Sequence, residues 1–264
     1  MTDGQDETPG LSVTVLGCCG SFPGAGGACS GYLVDDGTTR LWLDAGSGTM
    51  ANLQKHVALA DVDALVLSHE HPDHWQDLEG LVIALEYHLK RKGFPVYAPA
   101  GLRERTYQPG GPWIAWHDVA DGDRVAVGGL ELTFSRTDHG PETLAVRVDG
   151  AAAGATGSIG YSADTGPGWS LEALGEGLGL ALCEATVPAA DEGKMQHLSA
   201  RQAGSSARAA GARQLVLTHL WPTLDPQRSR AEGADAFGAP VEVASTGARY
   251  AVAHSEAAHS EVAP

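Results

Sequence analysis

Three imidazoles and a carboxylate fall within Ser68-His69-Glu70-His71-Pro72-Asp73-His74, directly after the apolar run Leu65-Val66-Leu67. The run reads as a buried strand ending at Ser68, so the cluster occupies the loop leaving its C-terminal end. In layered α/β proteins that end of the sheet is where ligands bind. Imidazole nitrogen and carboxylate oxygen are the usual ligands of zinc and related divalent ions. His69 and His71 alternate as neighbours on an extended segment and can grip one ion. Asp73 and His74 begin the following helix and point elsewhere, towards a second ion. Isolated histidines are common in polar loops, but three with an aspartate at this spacing after a buried strand are not.

The pattern His-x-His-x-Asp-His resembles the signature of the metallo-β-lactamase-fold hydrolases, and within them the ribonuclease Z and cyclic-nucleotide phosphodiesterase branch. The rest of the chain is then expected to supply the remaining ligands in order. Residues 1–10 read as a disordered tail, 11–253 as one hydrolase domain and 254–264 as a second tail, with His254 and His259 uninvolved. Residues 11–16 alternate as a strand and run into a glycine-rich loop to Gly27 that holds no lysine, which excludes a nucleoside-triphosphate P-loop. Residues 31–35 and 40–44 read as a hairpin about Asp36-Gly37. The resemblance makes Asp44-Ala45-Gly46 the family's Asp-x-Gly turn under the metal loop, with Asp44 supporting ligands and not acting as one.

A short helix is expected over 49–57. Beyond His74, Leu78, Leu81, Val82, Leu85 and Leu89 recur at helical spacing, with Gly93 as the expected cap and His88 on the surface. Trp113 and Trp116 read as loop residues, either covering the core or walling a site for a ring. Strands at 125–127 and 130–134 lead to Thr137-Asp138-His139, before a further strand at 143–148. The resemblance makes His139 a ligand beside His69 and His71. Asp138 is read as able to orient a neighbouring imidazole. Tyr161-Ser162-Ala163-Asp164-Thr165 is similar to the family's Tyr-Ser-Gly-Asp-Thr element, with Ala163 at the glycine position and Asp164 as the carboxylate bridging both ions. After a buried strand at 178–183, Glu184-Ala185-Thr186 and His197-Leu198-Ser199 match the Glu-Ala-Thr and His-x-Ser/Thr steps of the ribonuclease Z branch. Ser199 and Gln202 form a capping-box pair at the start of a helix to about Gly211. A strand at 214–217 leads to His219, the last ligand implied. A helix near 225–236 follows, and strands at 241–244 and 248–253 are expected to close the second sheet.

The resemblance thus implies an α/β chain with the four-layer αβ/βα sandwich of the metallo-β-lactamase fold. It implies two divalent ions. His69, His71 and His139 hold one, Asp73, His74 and His219 the other, and Asp164 bridges them. Zinc is the default from ligand type, with manganese or iron as alternatives. The implied chemistry is hydrolysis of a small phosphodiester by a hydroxide held between the ions, with Asp73, His197 and Glu184 as the catalytic residues. His197 stands where a proton donor to a leaving alkoxide is needed, and Glu184 holds its other nitrogen.

Two features separate the chain from enzymes that process the 3′ end of tRNA. Only residues 140–163 separate His139 from Asp164, too few for the long arm that grips the tRNA elbow. Lys+Arg number 17 against Asp+Glu 33, a net charge of −16 that repels polyanions and anionic membranes. The expected substrate is therefore a 3′,5′-cyclic nucleotide such as cAMP. A ribonuclease Z-like endonuclease is the alternative, followed by a catalytically silent metal- or nucleotide-binding module. Cys18, Cys19, Cys29 and Cys183 lack metal-knuckle spacing and read as reduced thiols of a cytoplasmic protein. No signal peptide or membrane helix is expected. Relatives of this type often form homodimers.

Overall fold

Side chains alternate along most strands, and both faces find an apolar partner. In the segment 180–183, Leu180 and Leu182 point one way, Ala181 and Cys183 the other, and all four are fully buried. A strand buried on both faces belongs inside a sheet covered on both sides. A computed structural model of the chain describes residues 10–106, 111–150 and 157–252. In chain order its strands are β1 (Ser12–Gly17), β2 (Gly31–Asp35), β3 (Arg40–Leu43), β4 (Ala64–Val66), β5 (Phe94–Pro99), β6 (Ile114–Val119), β7 (Arg124–Val127), β8 (Leu130–Arg136), β9 (Leu144–Gly150), β10 (Ser158–Tyr161), β11 (Leu180–Glu184), β12 (Leu215–Thr218), β13 (Glu242–Val243) and β14 (Arg249–Ala251).

They form two seven-stranded sheets, ordered β14-β1-β2-β3-β4-β5-β6 and β13-β12-β11-β10-β9-β8-β7. In each sheet the antiparallel pairings give way to parallel ones at one strand, β3 in the first and β10 in the second. Both switch strands are followed by Asp-x-Gly, as Asp44-Ala45-Gly46 and Asp164-Thr165-Gly166. The chain is thus two similar halves, although no internal repeat is evident in its sequence. The sheets face each other across a core that includes Val13, Val15, Phe134, Val146, Ile159 and Leu182. Helices α1 (Thr49–Leu53), α2 (Pro72–Trp75) and α3 (Leu78–Ile83, continuing as a π-helix over Ala84–Leu89) belong to the first half, and α4 (Ala200–Ala209) and α5 (Pro226–Phe237) to the second. Leu81 and Leu85 pack with Trp42 and Leu65 outside the first sheet. Ala203 and Ala207 pack with Cys183 and Leu217 outside the second. This is the four-layer sandwich expected.

The alanine and glycine content of α4 sets how closely it packs. A Cβ on Gly204 would lie 2.5 Å from the Gly233 carbonyl oxygen, so α5 rests its backbone directly on α4. Ser199 and Gln202 form the reciprocal capping box, which satisfies two backbone donors at the N-terminus of α4.

Four expectations need correction. Strand β14 pairs with β1 and so extends the first sheet, not the second. The long helix ends at Lys90, which takes the left-handed conformation at φ 53°, and not at Gly93. The last turn has π geometry, and this moves the cap upstream. Trp116 lies on strand β6, with Trp113 at its start, and both pack on the apolar layer under α3. They cover the core. Asp138 orients no imidazole, because its carboxylate accepts from the Gly168 amide at 2.8 Å and faces Gln196. The four cysteines are free thiols, and burial pushes Cys18, Cys29 and Cys183 up to about 12. The expected tails, with His254 and His259, lie outside the described residues apart from Gly10. Among the described residues no helix is long and apolar enough to cross a membrane.

Candidate metal centre

Five loops on one edge of the sandwich deliver the site. They follow β3, β4, β10, β11 and β12 at their C-terminal ends, and a sixth joins β8 to β9. The turn after β3 is the floor. Gly46 is obligatory there, since a Cβ would lie 2.0 Å from the Asp73 carbonyl oxygen. The Ala45 amide donates to the His74 carbonyl at 2.7 Å and holds the metal loop down. Asp44 is buried in the left-handed region at φ 57°, a conformation uncommon outside glycine that aspartate reaches more readily than most residues. Its carboxylate accepts from the Ser68 amide at 2.7 Å, the Ser68 hydroxyl at 2.8 Å, His74 Nδ1 at 2.7 Å and the Tyr161 hydroxyl at 2.7 Å. Ala163 and His219 adopt the same region, at φ 50° and 55°. Left-handed residues without glycine's freedom persist where surrounding contacts over-determine them, which is common at functional sites.

All seven residues expected as ligands converge. His71 Nδ1 lies 3.2 Å from His139 Nε2. His74 Nε2 lies 3.2 Å from His219 Nε2, which is itself 3.2 Å from Asp73 Oδ2. Asp164 sits between the two groups and divides its oxygens. Oδ1 is 3.3 Å from His74 Nε2 and 3.4 Å from His219 Nε2. Oδ2 is 3.6 Å from His69 Nε2 and 3.8 Å from His139 Nε2. The donor atoms of His69, His71, His139 and Asp164 lie within 4.8 Å of one another, as do those of Asp73, His74 and His219.

The side chains present fit cations. His74 donates from Nδ1 to Asp44, and His139 donates from Nδ1 to the Gln196 carbonyl oxygen at 3.1 Å. Their Nε2 atoms therefore face the centre. Among the described residues, His69 Nε2 and Asp164 Oδ1 are buried polar atoms that take no hydrogen bond. Such atoms are costly unless something polar satisfies them, and divalent ions beside them would do so. The electrostatics agree. Burial opposes charge on His74, but the carboxylates of Asp164, Asp73 and Asp44 outweigh it and hold the ring well above the usual imidazole range. Burial likewise opposes charge on Asp164, and the rings of His219 and His74 hold it well below the usual carboxylate range. Around His74 and Asp164 the pocket stabilises positive charge, which protons or metal ions supply in competition, whereas burial holds His69 and His139 below the usual imidazole range and keeps their nitrogens free of protons.

Beside this cluster stands His197. Its Nδ1 lies 3.0 Å from Glu184 Oε1, and its ring centroid is 5.2 Å from that of His139 and 5.8 Å from that of His219. Burial lowers the affinity of this ring for a proton, but the Glu184 contact more than offsets that and brings the pKa to about 9. Glu184 is fully buried and also accepts from the amides of Thr165, Thr186 and Leu198. Reasoning from the sequence missed three contributors, Ser68, Tyr161 and Thr186. Each is a hydroxyl inside a recognised motif, beside His69, Asp164 and Glu184 in the sequence, and only that position hinted at them.

The model of a β-lactamase superfamily domain matches residues 39–220. A probable metallo-hydrolase of Bacillus subtilis, YhfI, is 31% identical over 247 residues, covering 90% of this chain and 98% of its own. Its crystal structure, described as a metallo-β-lactamase fold protein, superposes with a TM-score of 0.83 over 91% of this chain and 98% of that one, at 28% identity. An uncharacterized protein of Mycobacterium tuberculosis is 32% identical over 252 residues, covering 90% and 91% of the two chains. A ribonuclease Z of Methanopyrus kandleri is 27% identical over 260 residues, covering 86% and 93%.

Proposed function

The chain belongs to the β-lactamase superfamily and is a metallo-hydrolase, and on that premise we propose that it is a dinuclear phosphodiesterase for small phosphodiesters, above all 3′,5′-cyclic nucleotides such as cAMP. In this reading His69, His71 and His139 hold one ion, and Asp73, His74 and His219 the other. Asp164 spans the pair. The observation that carries the reading is the division of the Asp164 oxygens between the two imidazole groups, with Oδ1 towards His74 and His219 and Oδ2 towards His69 and His139. Zinc is the metal expected from this ligand set, with manganese or iron as alternatives.

Two divalent ions bound there would supply an acidified water and a clamp on the phosphate oxygens. The chain's own residues do the rest. Asp73 has an oxygen 3.2 Å from His219 Nε2 and serves both as ligand and as acceptor that orients the attacking water. His197 is fixed by Glu184 through Nδ1, so its Nε2 is the atom free to protonate the departing ribose oxygen. Glu184 keeps that ring charged and aimed.

A small substrate is favoured over RNA by two observations. Strands β9 and β10 occupy 11 of the 24 residues between His139 and Asp164, which leaves little chain for a substrate arm. The net charge is −16. The second reading is tRNA 3′ processing, supported by the similarity to a ribonuclease Z. Metal analysis of the purified protein, with a panel of cyclic nucleotides, bis(p-nitrophenyl) phosphate and precursor tRNA, tests the assignment. Two ions per chain and turnover of cAMP are expected. Efficient cleavage of precursor tRNA without cyclic-nucleotide turnover would reverse the order of the two readings.

A further inference from the structure

Two hydroxyls lie between a buried carboxylate and a metal-facing imidazole, one in each half of the fold. The Thr186 Oγ1 is 2.5 Å from Glu184 Oε2 and 2.8 Å from His219 Nδ1. The Ser68 Oγ is 2.8 Å from Asp44 Oδ2 and 3.0 Å from His69 Nδ1. Thr186, Ser68, Glu184 and Asp44 are all buried. A hydroxyl has one proton to give and lone pairs to receive. Glu184 already accepts from three backbone amides and from His197, so its oxygens act as acceptors and the Thr186 proton goes to Glu184. The only direction left for the contact with His219 is donation from its Nδ1–H to Thr186. By the same reasoning Asp44, which accepts from the Ser68 amide, His74 and Tyr161, takes the Ser68 proton. His69 then donates from Nδ1 to Ser68.

We propose that Thr186 is a positioning residue that fixes the tautomer of His219 and ties it to the carboxylate holding His197, with Ser68 doing the same for His69. The proposal rests on the metal-ligand reading above and extends it. With the proton of His219 committed to Nδ1, Nε2 presents a lone pair towards Asp73, His74 and Asp164, where a cation would lie. The unsatisfied Nε2 of His69 has the same origin. Glu184 then serves two histidines at once. It contacts His197 directly and His219 through a hydroxyl, so the proton donor and one metal ligand share a single buried charge. An imidazole whose outer nitrogen is held by such a partner binds metal more tightly, and loss of the partner typically costs about 10–100-fold in affinity.

The test uses the full chain with Thr186→Val, which keeps the shape and removes the hydroxyl, and Thr186→Ser, which keeps the hydroxyl. The dissociation constants of zinc are measured by competition with a chelator. Thr186→Val should weaken one of two binding steps about 10–100-fold and leave the other unchanged, and Thr186→Ser should restore it. In metal-free protein, at a pH where the ring is neutral, ¹H–¹⁵N spectra report the tautomer of His219. Nδ1–H is expected in the wild type and in Thr186→Ser, with loss of that preference in Thr186→Val. Should Thr186→Val not fold, Thr186→Ala carries both measurements. Unchanged zinc affinities together with an unchanged His219 tautomer would overturn the proposal. Failure to bind zinc at all would remove the dinuclear reading, and the tautomer spectra would still decide the fate of Thr186.

Discussion

Replacing His197 with alanine separates a proton donor from a ligand. The imidazole stands 3.0 Å from Glu184 and has a pKa of about 9, so it carries a proton at neutral pH. General acid catalysis contributes about 10²–10⁴-fold when the leaving group needs a proton, equivalent to about 2.7–5.4 kcal/mol of barrier at about 1.36 kcal/mol per tenfold. The ribose oxygen of a cyclic nucleotide leaves as an alkoxide and needs that proton. p-Nitrophenolate departs readily as an anion. His197→Ala should therefore slow cAMP hydrolysis by about 10²–10⁴-fold and bis(p-nitrophenyl) phosphate hydrolysis far less. The fold should survive, because Glu184 retains the amides of Thr165, Thr186 and Leu198 and the Thr186 hydroxyl as donors. Metal content is the necessary companion measurement. A ring nitrogen of His197 lies within 4.8 Å of donor atoms of Asp164 and His219, close enough for it to be a ligand instead. The assay is kcat on both substrates, with metal per chain measured on the same preparations. Equal slowing of the two substrates, or loss of an ion, would refute the acid assignment.

Asp164→Ala should lose both activity and bound metal, by more than the about 10–100-fold typical of an outer partner, because both of its oxygens face donor groups; retained stoichiometry by elemental analysis would count against the bridge. Precursor tRNA at physiological salt should be cleaved far more slowly than cAMP, and a gel assay beside a nucleotide assay checks this. In metal-free protein, the His197 pKa is raised from 6.5 to about 9 by Glu184 against the opposing effect of burial. The stability this provides is fully present below pH 6.5 and is lost as pH rises through about 9. It amounts to about 3 kcal/mol. Glu184→Gln should remove most of that pH dependence, so urea unfolding of both proteins on either side of the window should show the wild type losing its advantage at the alkaline end. A difference that does not change with pH would show that the pair contributes nothing through protonation.

Local chemistry made much of the site readable. His69, His71, Asp73 and His74 lie within one loop, and ligand type and spacing are properties of contiguous residues. The capping box at Ser199 and Gln202 was readable for the same reason, since its two hydrogen bonds close within one helical turn. His139, Asp164 and His219 were recognisable only through the order of motifs, because an isolated histidine after a strand carries little information. The placement of β14 was misjudged because an edge strand of this length has no sequence mark for which sheet it joins. Its partner β1 lies at the far end of the chain. Asp138 was misjudged because a carboxylate next to a histidine in sequence points to the other side of the loop, where the Gly168 amide waits.

The sequence by itself determined most of the strands, though not β5 and β6, together with most helix starts and the kinds of group that could bind a metal. These follow from side-chain periodicity, capping residues and donor chemistry, all of which act over a few residues. Only the tertiary structure decided which oxygen meets which nitrogen. Tyr161 reaches Asp44 across 117 positions and His74 reaches His219 across 145. Hydrogen bonds are directional and lose their worth within a fraction of an ångström. The partition of the Asp164 oxygens and the two hydroxyl links at Ser68 and Thr186 therefore exist only once both sheets have packed and brought their loops to one edge.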